Sequence, residues 1–500
     1  MLLFMQKVIK QVGRKYLTIA LLAGIAQFFL FKKLYPFPDF ISDSYSYIAT
    51  NLYHMQVNLW PVGYSLFLNL IHHITPSHYF LVFCQFLILQ GAFLYFFYTV
   101  LYLYALHRTN KILLFLFLFF NPAFFYLSNC VLSDAIFCAL SIVLFSQYLW
   151  MYHKPTRRNL IIQAVIIGLA FTIRYTAIYY PIVSIGAMLL SGYRLPLKLI
   201  GMALPWFFIL PFIKYTEQKT KELTGTAEFS VFGGWQLANN ALYMYGHIVV
   251  DSARLPANLR DLDKAAKEYF SSTPPTEDDL TAIQGTYFIK KRDAILKPYM
   301  QSHSQFTGSA VSQFQAWGAV SPTYNQYGRY LITHYPVEFA RYYLWLNTKN
   351  YFVPYLEKYS NYNLGQPTMA DIAAEWFALD SPNVCKVPHT ASQVWVFIFY
   401  PIVFMILNIY FTICLVDVLI SGRLKQWRSF SITTLLLAAF FLLVNFGFSV
   451  FATPVVMRYQ LVPMTILFFF SLYMTQFISN KPISASSQPA MRPVHPPLQQ

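Results

Sequence analysis

Residues 79–103 read YFLVFCQFLILQGAFLYFFYTVLYL, a run without a single charged side chain. A helix rises ~1.5 Å per residue, so a run of this length can cross the ~30 Å hydrocarbon core of a bilayer. Comparable apolar runs recur throughout the chain. The sequence therefore predicts an integral membrane protein with several helical spans.

The overall composition supports the same class. The chain has 500 residues, of which 57% are hydrophobic and 11% are charged, values outside the range of ordinary soluble domains. The aromatic content of 19% fits as well, because Trp and Tyr favour membrane–water interfaces. The net charge of +16 comes from short Lys and Arg clusters between apolar runs, which is typical of cytoplasmic loops. These clusters form no basic face, so we expect no nucleic-acid binding.

Ten apolar runs define the predicted architecture, an all-α polytopic membrane protein. The first run follows a basic N-terminus but is not followed by a small-residue cleavage site, so we expect an uncleaved first span. The predicted spans are 17–35, 79–103, 112–128, 131–151, 160–175, 177–192, 196–213, 394–418, 430–450 and 460–478.

The stretch 160–192 could form one helix or two. One helix would be about 50 Å long at ~1.5 Å per residue, too long for a bilayer without severe tilt. Two short helices place sixteen basic residues on the cytoplasmic side and four outside, leaving aside the large hydrophilic segment. One helix would reduce this bias to about ten against nine. Positive-inside bias therefore favours ten spans with both termini in the cytoplasm.

These spans divide the chain into four parts. Residues 1–213 form an N-terminal transmembrane module with an outer loop at 36–78, and residues 214–393 form a mixed, largely helical extracytoplasmic domain. Residues 394–479 hold the last transmembrane helices. The segment 480–500 is rich in Pro, Ser and Gln, which predicts a disordered cytoplasmic tail.

Acidic residues are rare outside the large segment, which holds sixteen of the twenty. The other four are Asp39, Asp43, Asp134 and Asp417, and the first three map to the predicted outer side. Loop 36–78 contains no Lys or Arg. Ionisable groups at a membrane boundary are costly unless solvated or paired, so these acids are functional candidates. As structural alternatives, Asp39 fits a turn, and Asp43 fits the cap of a following helix.

Basic residues are equally sparse on the predicted outer side, where they are Lys32, Lys33, Arg174 and Arg458. The two lysines could equally reach lipid headgroups by extending their side chains. An arginine guanidinium binds phosphate with two aligned donors and stays charged in a low-dielectric setting. Acids and arginines together on this side suit a phosphate-linked lipid substrate.

Several short motifs occur in a particular order along the chain. They are Asp43-Ser44-Tyr45-Ser46-Tyr47, Trp60-Pro61-Val62-Gly63-Tyr64, Asn121-Pro122, Ser133-Asp134, Gly168-Leu169-Ala170-Phe171-Thr172-Ile173-Arg174 and Arg458-Tyr459. This order resembles the GT-C superfamily of membrane glycosyltransferases, in the branch of the protein O-mannosyltransferases and the bacterial lipid A aminoarabinose transferase. The resemblance covers residues 15–215 and the last spans, whereas the large segment has no counterpart. The family often has two adjacent acids where this chain has Asp43-Ser44, and Asp39 could supply the second.

The resemblance implies a GT-C-like fold and a hexosyltransferase in the bacterial inner (plasma) membrane. It would move a sugar from a polyprenyl-phosphate donor to a lipid, glycan or protein acceptor on the periplasmic or outer face. The residues it implicates are Asp43 as base with Asp39 and Asp134, then Arg174, Arg458 and Lys33 for phosphate, and Tyr45, Tyr47, Tyr64 and Tyr459 for positioning. The sequence shows no metal-ligand set, although Asp134 could orient the acceptor or help to bind a divalent cation.

Other classes make different predictions. A transporter or lipid flippase predicts charges near the bilayer midplane, discontinuous helices and an internal repeat, and we find none of these patterns in the sequence. An O-antigen ligase or polymerase would depend on basic residues in the large segment without an early acidic loop. A purely structural membrane protein is the remaining alternative.

Overall fold

The computed structural model describes residues 8–10, 12–277, 279–280, 285–304, 308–384, 393–421, 427, 429–452 and 454–479. This part of the chain is all-helical, with 77% helix and no β-strand. Its only β-type pairings are isolated bridges, which join Asp39 to Cys130, Tyr355 to Val456 and Thr368 to Asn383. The prediction for the tail at 480–500 concerns residues outside the described part.

Eight helical segments of the described residues are long and apolar enough to cross a membrane. They are Lys15–Leu34, His78–Leu103, Arg108–Asn129, Asp134–His153, Leu195–Thr224, Gln393–Ile420, Ser429–Ala452 and Met457–Ile478. Each corresponds to one of the predicted spans. The chain thus has the helices of a multi-pass integral membrane protein.

Eleven helices in the first part of the chain are numbered in order. They are α1 Lys15–Leu34, α2 Ser42–Leu52, α3 Gly63–Ile74, α4 His78–Leu103, α5 Arg108–Phe119, α6 Pro122–Asn129, α7 Asp134–His153, α8 Arg157–Ile173, α9 Tyr180–Leu190, α10 Leu195–Thr224 and α11 Val231–Leu242. The predicted outer loop 36–78 therefore holds two helices of its own, α2 and α3.

The remaining helices continue the numbering. They are α12 Arg260–Ser272, α13 Tyr287–Lys290, α14 Leu296–His303, α15 Ala310–His334, α16 Pro336–Phe339, α17 Trp345–Phe352, α18 Asp371–Trp376, α19 Gln393–Phe397, α20 Tyr400–Ile420, α21 Ser429–Ala452 and α22 Leu461–Ser479. A π-helical turn, Ala340–Leu344, joins α16 to α17. Single 3₁₀ turns include Tyr175–Tyr179, Glu357–Tyr359 and Met457–Gln460.

The stretch predicted as one span at 112–128 is broken into α5 and α6. The Asn121 side chain accepts a hydrogen bond from the backbone N–H of Ala123 at 3.0 Å, and so caps α6. Pro122 occupies the first turn of α6, where its missing N–H is not needed. The Asn-Pro pair therefore begins a new helix inside the apolar run.

The ambiguous stretch 160–192 forms two helices. Helix α8 ends at Ile173, the turn Tyr175–Tyr179 follows, and α9 begins at Tyr180. The prediction that this stretch forms two helices is therefore confirmed, with the break at residues 174–179. Both helices are shorter than the eight segments named above, so the count of ten spans stays a prediction.

Helix α10 extends eleven residues beyond the predicted end of its span at residue 213. Its last turns carry the ion pairs Lys214–Glu217 and Lys219–Glu222, each at 2.7 Å, which suit a solvated helix. Gly225, with φ of 76°, then ends the helix in the left-handed conformation that glycine adopts readily. The predicted boundary between 1–213 and 214–393 thus falls inside one helix.

The segment after α10 has its own hydrophobic core, centred on α11 and α15. The two helices approach closely at Gly234, where a Cβ atom would lie 2.2 Å from the carbonyl oxygen of Ser321. Helix α12 packs into this core, and its buried Asp263 accepts hydrogen bonds from the hydroxyls of Tyr245 and Tyr327. The described residues of this segment are therefore folded and largely helical.

Helix α3 begins against the end of α8. A Cβ atom on Gly63 would lie only 2.4 Å from the carbonyl oxygen of Thr172, so the contact requires glycine. This contact fixes the start of α3 beside Arg174, which follows α8 directly.

Candidate functional site

Asp134 is the centre of a buried charge cluster. It occupies the first turn of α7, where the partial positive charge of a helix N-terminus favours a carboxylate. Its Oδ1 lies 2.6 Å from Nη1 of Arg174, and its Oδ2 lies 2.7 Å from Nη1 of Arg458. The three side chains are only 4%, 15% and 6% exposed, respectively. One carboxylate thus joins two arginines that are far apart in sequence.

Both arginines lie where helical structure is interrupted. Arg174 has an extended backbone between α8 and the turn Tyr175–Tyr179. Arg458 lies in the 3₁₀ turn that precedes α22. The strand-like bridge between Tyr355 and Val456 fixes the approach to that turn. The two arginines therefore reach Asp134 from segments that lie outside the α-helices.

Aromatic rings hold the two guanidinium groups. The Cζ atoms of Arg174 and Arg458 lie 4.7 Å and 4.6 Å from the ring centroid of Tyr459. Arg174 also lies 5.7 Å from the ring of Phe137. Cation–π contacts of this kind stabilise a planar guanidinium away from bulk water. Tyr459, predicted as a positioning residue, therefore contacts both phosphate-binding candidates.

Glu357 is a member of this cluster that the sequence did not single out. Its Oε2 lies 2.7 Å from Nε of Arg458, and its side chain is 19% exposed. It comes from the large hydrophilic segment 214–393, whose sixteen acids show no pattern that marks this one. Its φ of 49° is unusual for a residue other than glycine.

Asp43 approaches the same arginines without forming an ion pair in the described structure. It lies in the first turn of α2, and its carboxylate accepts a 3.4 Å hydrogen bond from Ser42. Burial raises its pKa above the ordinary value for Asp, while Arg458 and Arg174 act in the opposite direction. It is therefore a carboxylate with a raised proton affinity and free acceptor capacity.

The capping alternative for Asp43 does not describe the structure. Helix α2 begins at Ser42, and it is the hydroxyl of Ser44 that accepts a 3.0 Å hydrogen bond from the backbone N–H of Ile41. The carboxylate of Asp43 is therefore not needed to complete this end of the helix.

Asp39 lies in a different environment. Its side chain is fully buried, and it forms an ion pair with Lys358 that is 2.5 Å long. The hydroxyl of Tyr126 and the backbone N–H of Asn363 also donate to its carboxylate. The structure thus uses Asp39 to tie loop 36–78 to the segment after α17, and does not bring it into the arginine cluster.

The three remaining tyrosine candidates lie at different distances from the cluster. The hydroxyl of Tyr47 lies 3.0 Å from that of Ser133, next to Asp134. Tyr64 packs edge-on against Tyr47 and donates to Gln85 at 2.7 Å. Tyr45 instead accepts from the backbone N–H of Ala370 at 3.2 Å, just before α18. Tyr47 is thus the one of these three that is linked to the arginine cluster.

The adjacent lysines of α1 have opposite environments. Lys32 is buried, donates to Asn129 at 3.0 Å and lies over the ring of Tyr79. Lys33, the predicted phosphate ligand, is exposed. It has no ion pair with any described residue, and the structure does not bring it to Arg174 and Arg458.

A small cavity borders the charge cluster. Its volume is about 50 Å³, and its lining includes Asp134, Arg174, Arg458, Tyr459 and Asn445. The described residues contain no group of three His, Cys, Asp or Glu side chains arranged for a metal ion. The chemistry that this site offers is therefore that of two arginines and the carboxylates around them.

Comparison of the chain with protein-family models, curated proteins and solved structures gave no match. The fold defines a helical, multi-pass membrane protein. Its distinguishing feature is a buried arginine–carboxylate cluster, composed of Asp134, Arg174, Arg458 and Glu357, with Asp43 beside it.

Proposed function

We propose that the protein is a membrane glycosyltransferase of the GT-C type that uses a polyprenyl-phosphate-linked sugar as donor. The observation that carries the proposal is the pair of arginines beside Asp43, a carboxylate without an ion pair among the described residues. A sugar transfer from a lipid phosphate needs these two elements, a base and a site for the leaving phosphate.

In the proposed reaction, the acceptor hydroxyl attacks the anomeric carbon of the donor sugar. Asp43 takes the hydroxyl proton as the new bond between the acceptor oxygen and the carbon forms. The bond between that carbon and the phosphate oxygen breaks, and its electron pair leaves with the polyprenyl phosphate. Attack opposite the leaving group inverts the anomeric configuration.

The raised pKa of Asp43 supports its role as base. A carboxylate with higher proton affinity accepts a proton more readily as attack proceeds. Burial is the main cause of the shift, and the nearby carboxylates of Glu357 and Asp134 act in the same direction. Arg458 and Arg174 oppose the shift in pKa, because their positive charges favour the ionised carboxylate.

The two guanidinium groups support the role in binding phosphate. Arg174 has donors at Nε and Nη2 that are without a partner among the described residues, and the ring of Tyr459 holds its plane. Donors already oriented toward a developing negative charge lower the barrier to its departure. The proposed mechanism does not require a divalent cation.

The location and acceptor belong to the same proposal. The apolar spans suit a lipid-linked donor, and we place the reaction on the periplasmic or outer face of a bacterial inner membrane. The acceptor is a lipid, a glycan or a protein. A folded segment between α10 and α20 lies at the cluster through Glu357, where it can help to bind the acceptor.

Replacement of Asp43 by Asn tests the proposal. We expect loss of sugar transfer with normal expression, measured by mass spectrometry of surface glycolipids and glycoproteins from cells with wild-type, variant or no protein. Asp371→Asn is a matched control, since Asp371 is an exposed acid in the first turn of α18. Wild-type transfer by the Asp43 variant would refute the assignment.

A further inference from the structure

The arginine cluster carries more acid than base. Three carboxylates, those of Asp43, Asp134 and Glu357, surround two guanidinium groups, which leaves one negative charge in excess. A phosphate that entered this arrangement would meet like charge. One carboxylate must therefore withdraw before both arginines can bind a phosphate.

The two arginines differ in which donors are in use. Arg458 donates through Nε to Glu357 and through Nη1 to Asp134, so both of its two-donor edges are partly occupied. Arg174 donates through Nη1 to Asp134 and weakly to Ser133, and its edge formed by Nε and Nη2 is open among the described residues. Arginine binds phosphate best through two parallel donors of one edge. Arg174 thus offers such an edge, and Arg458 does not.

We infer, on the basis of the proposed function, that the carboxylate of Glu357 occupies the phosphate subsite of Arg458 and that the donor phosphate displaces it. Glu357 is the carboxylate that can leave. Among the described residues it has one cationic partner, and it is 19% exposed, whereas Asp134 has two such partners and is 4% exposed. Asp134 is also fixed on a helix, while Glu357 lies outside any α-helix.

The backbone around Glu357 is held in place from both sides. Two residues before it, the carbonyl oxygen of Tyr355 accepts a 2.8 Å hydrogen bond from the backbone N–H of Met457. One residue after it, Lys358 is buried in its ion pair with Asp39. The displacement therefore needs only a rotation of the Glu357 side chain toward solvent.

This arrangement explains the unusual backbone at Glu357. A φ of 49° is unfavourable for a residue with a Cβ atom and persists only where surrounding contacts impose it. Here the contacts on either side impose a conformation that directs the carboxylate at Arg458. After displacement, Asp43 and Asp134 balance the charges of the two arginines, and the phosphate no longer meets an excess of negative charge.

Binding of farnesyl phosphate to the full-length protein in lipid nanodiscs tests the inference. Glu357→Gln keeps the size of the side chain but removes the competing charge, so we expect affinity to rise about tenfold, as for loss of one like charge in a partly solvated site. Farnesol, which lacks the phosphate, and inorganic phosphate are measured in parallel. The matched control is Glu375→Gln, an exposed acid in α18, for which we expect no change.

The variants separate this inference from the proposed function. Tighter binding of farnesyl phosphate by Glu357→Gln, with farnesol unaffected, supports displacement. Binding that is unchanged or weaker in Glu357→Gln, but lost in Arg174→Gln, overturns the displacement and leaves the phosphate site standing. Absence of farnesyl phosphate binding by both the wild type and Glu357→Gln overturns both proposals. If inorganic phosphate alone responds to Glu357→Gln, the subsite binds free phosphate and the displacement by a lipid donor is wrong.

Discussion

Asp134→Asn should destabilise the protein more than Arg174→Gln or Glu357→Gln in the same cluster. The substitution keeps the shape of the side chain but removes the charge that both arginines share, at 2.6 Å and 2.7 Å. The amide oxygen can still accept from one guanidinium. The amide nitrogen is a donor, so it opposes the donors of the other guanidinium.

The structure sets the size of the effect. Removal of one partner of a buried ion pair costs about 3–5 kcal/mol, because it leaves an uncompensated buried charge. Arg174 would lose its only carboxylate partner among the described residues, whereas Arg458 would keep Glu357. We therefore expect about 3 kcal/mol, the lower end of that range.

Two other variants provide the comparison. Arg174→Gln leaves Asp134 paired with Arg458, so we expect a smaller loss of about 1–2 kcal/mol. Glu357→Gln leaves Arg458 paired with Asp134, and Glu357 is partly solvated, so the loss should stay below about 1 kcal/mol. The expected order of destabilisation is thus Asp134, then Arg174, then Glu357.

Thermal unfolding of the purified proteins, followed by tryptophan fluorescence in one detergent, measures this order. A loss of about 3 kcal/mol corresponds to a drop of roughly 6 °C in Tm for a cooperative unit of about 250 residues. A midpoint for Asp134→Asn within about 1 °C of wild type would refute the shared-charge arrangement. So would a larger drop for Arg174→Gln than for Asp134→Asn.

Three further outcomes follow from the same contacts. Sugar transfer needs Asp43 in its ionised form, and the pKa of this carboxyl is raised. The rate should therefore fall as the pH decreases through a value above the ordinary carboxyl range. A rate–pH profile with an acid limb at or below pH ~4 would exclude Asp43 as the base. Gly63→Ala should lower the free energy of unfolding by about 1–3 kcal/mol through overpacking, because the added Cβ would lie 2.4 Å from a backbone oxygen. As a control, the Cβ added by Gly91→Ala meets nothing within 4 Å, so Tm should be unchanged or slightly higher. Lys358→Met should lower the free energy of unfolding by about 3–5 kcal/mol, measured as a fall in Tm. If Lys358 and Asp39 act as a pair, the double variant Lys358→Met/Asp39→Asn should recover part of that loss.

The sequence predicted the class of protein and the position of its main helices. Apolar runs of sufficient length are a local property, so hydropathy alone located the eight long helical segments. The break at Arg174 was also predictable, because the charge bias of the loops distinguished two short helices from one long helix. The end of α10 at Thr224 was not predictable from hydropathy, because a helix can continue beyond the end of its apolar run.

Part of the candidate site was also visible in the sequence. Acids and arginines are so rare outside the large segment that Asp43, Asp134, Arg174 and Arg458 could be selected from charge and predicted location. The structure brings these four together. Rarity of a residue type in an apolar context is the signal that made this possible.

The tertiary structure alone decided the partners. Glu357 is one of sixteen acids in a hydrophilic segment, and only the fold brings it to Arg458, 101 residues away in sequence. Likewise, the sequence could not distinguish an Asp39 that is buried with Lys358, 319 residues away, from an Asp39 in an exposed turn. Hydropathy and helix length are local properties, whereas an ion pair depends on how distant helix ends meet.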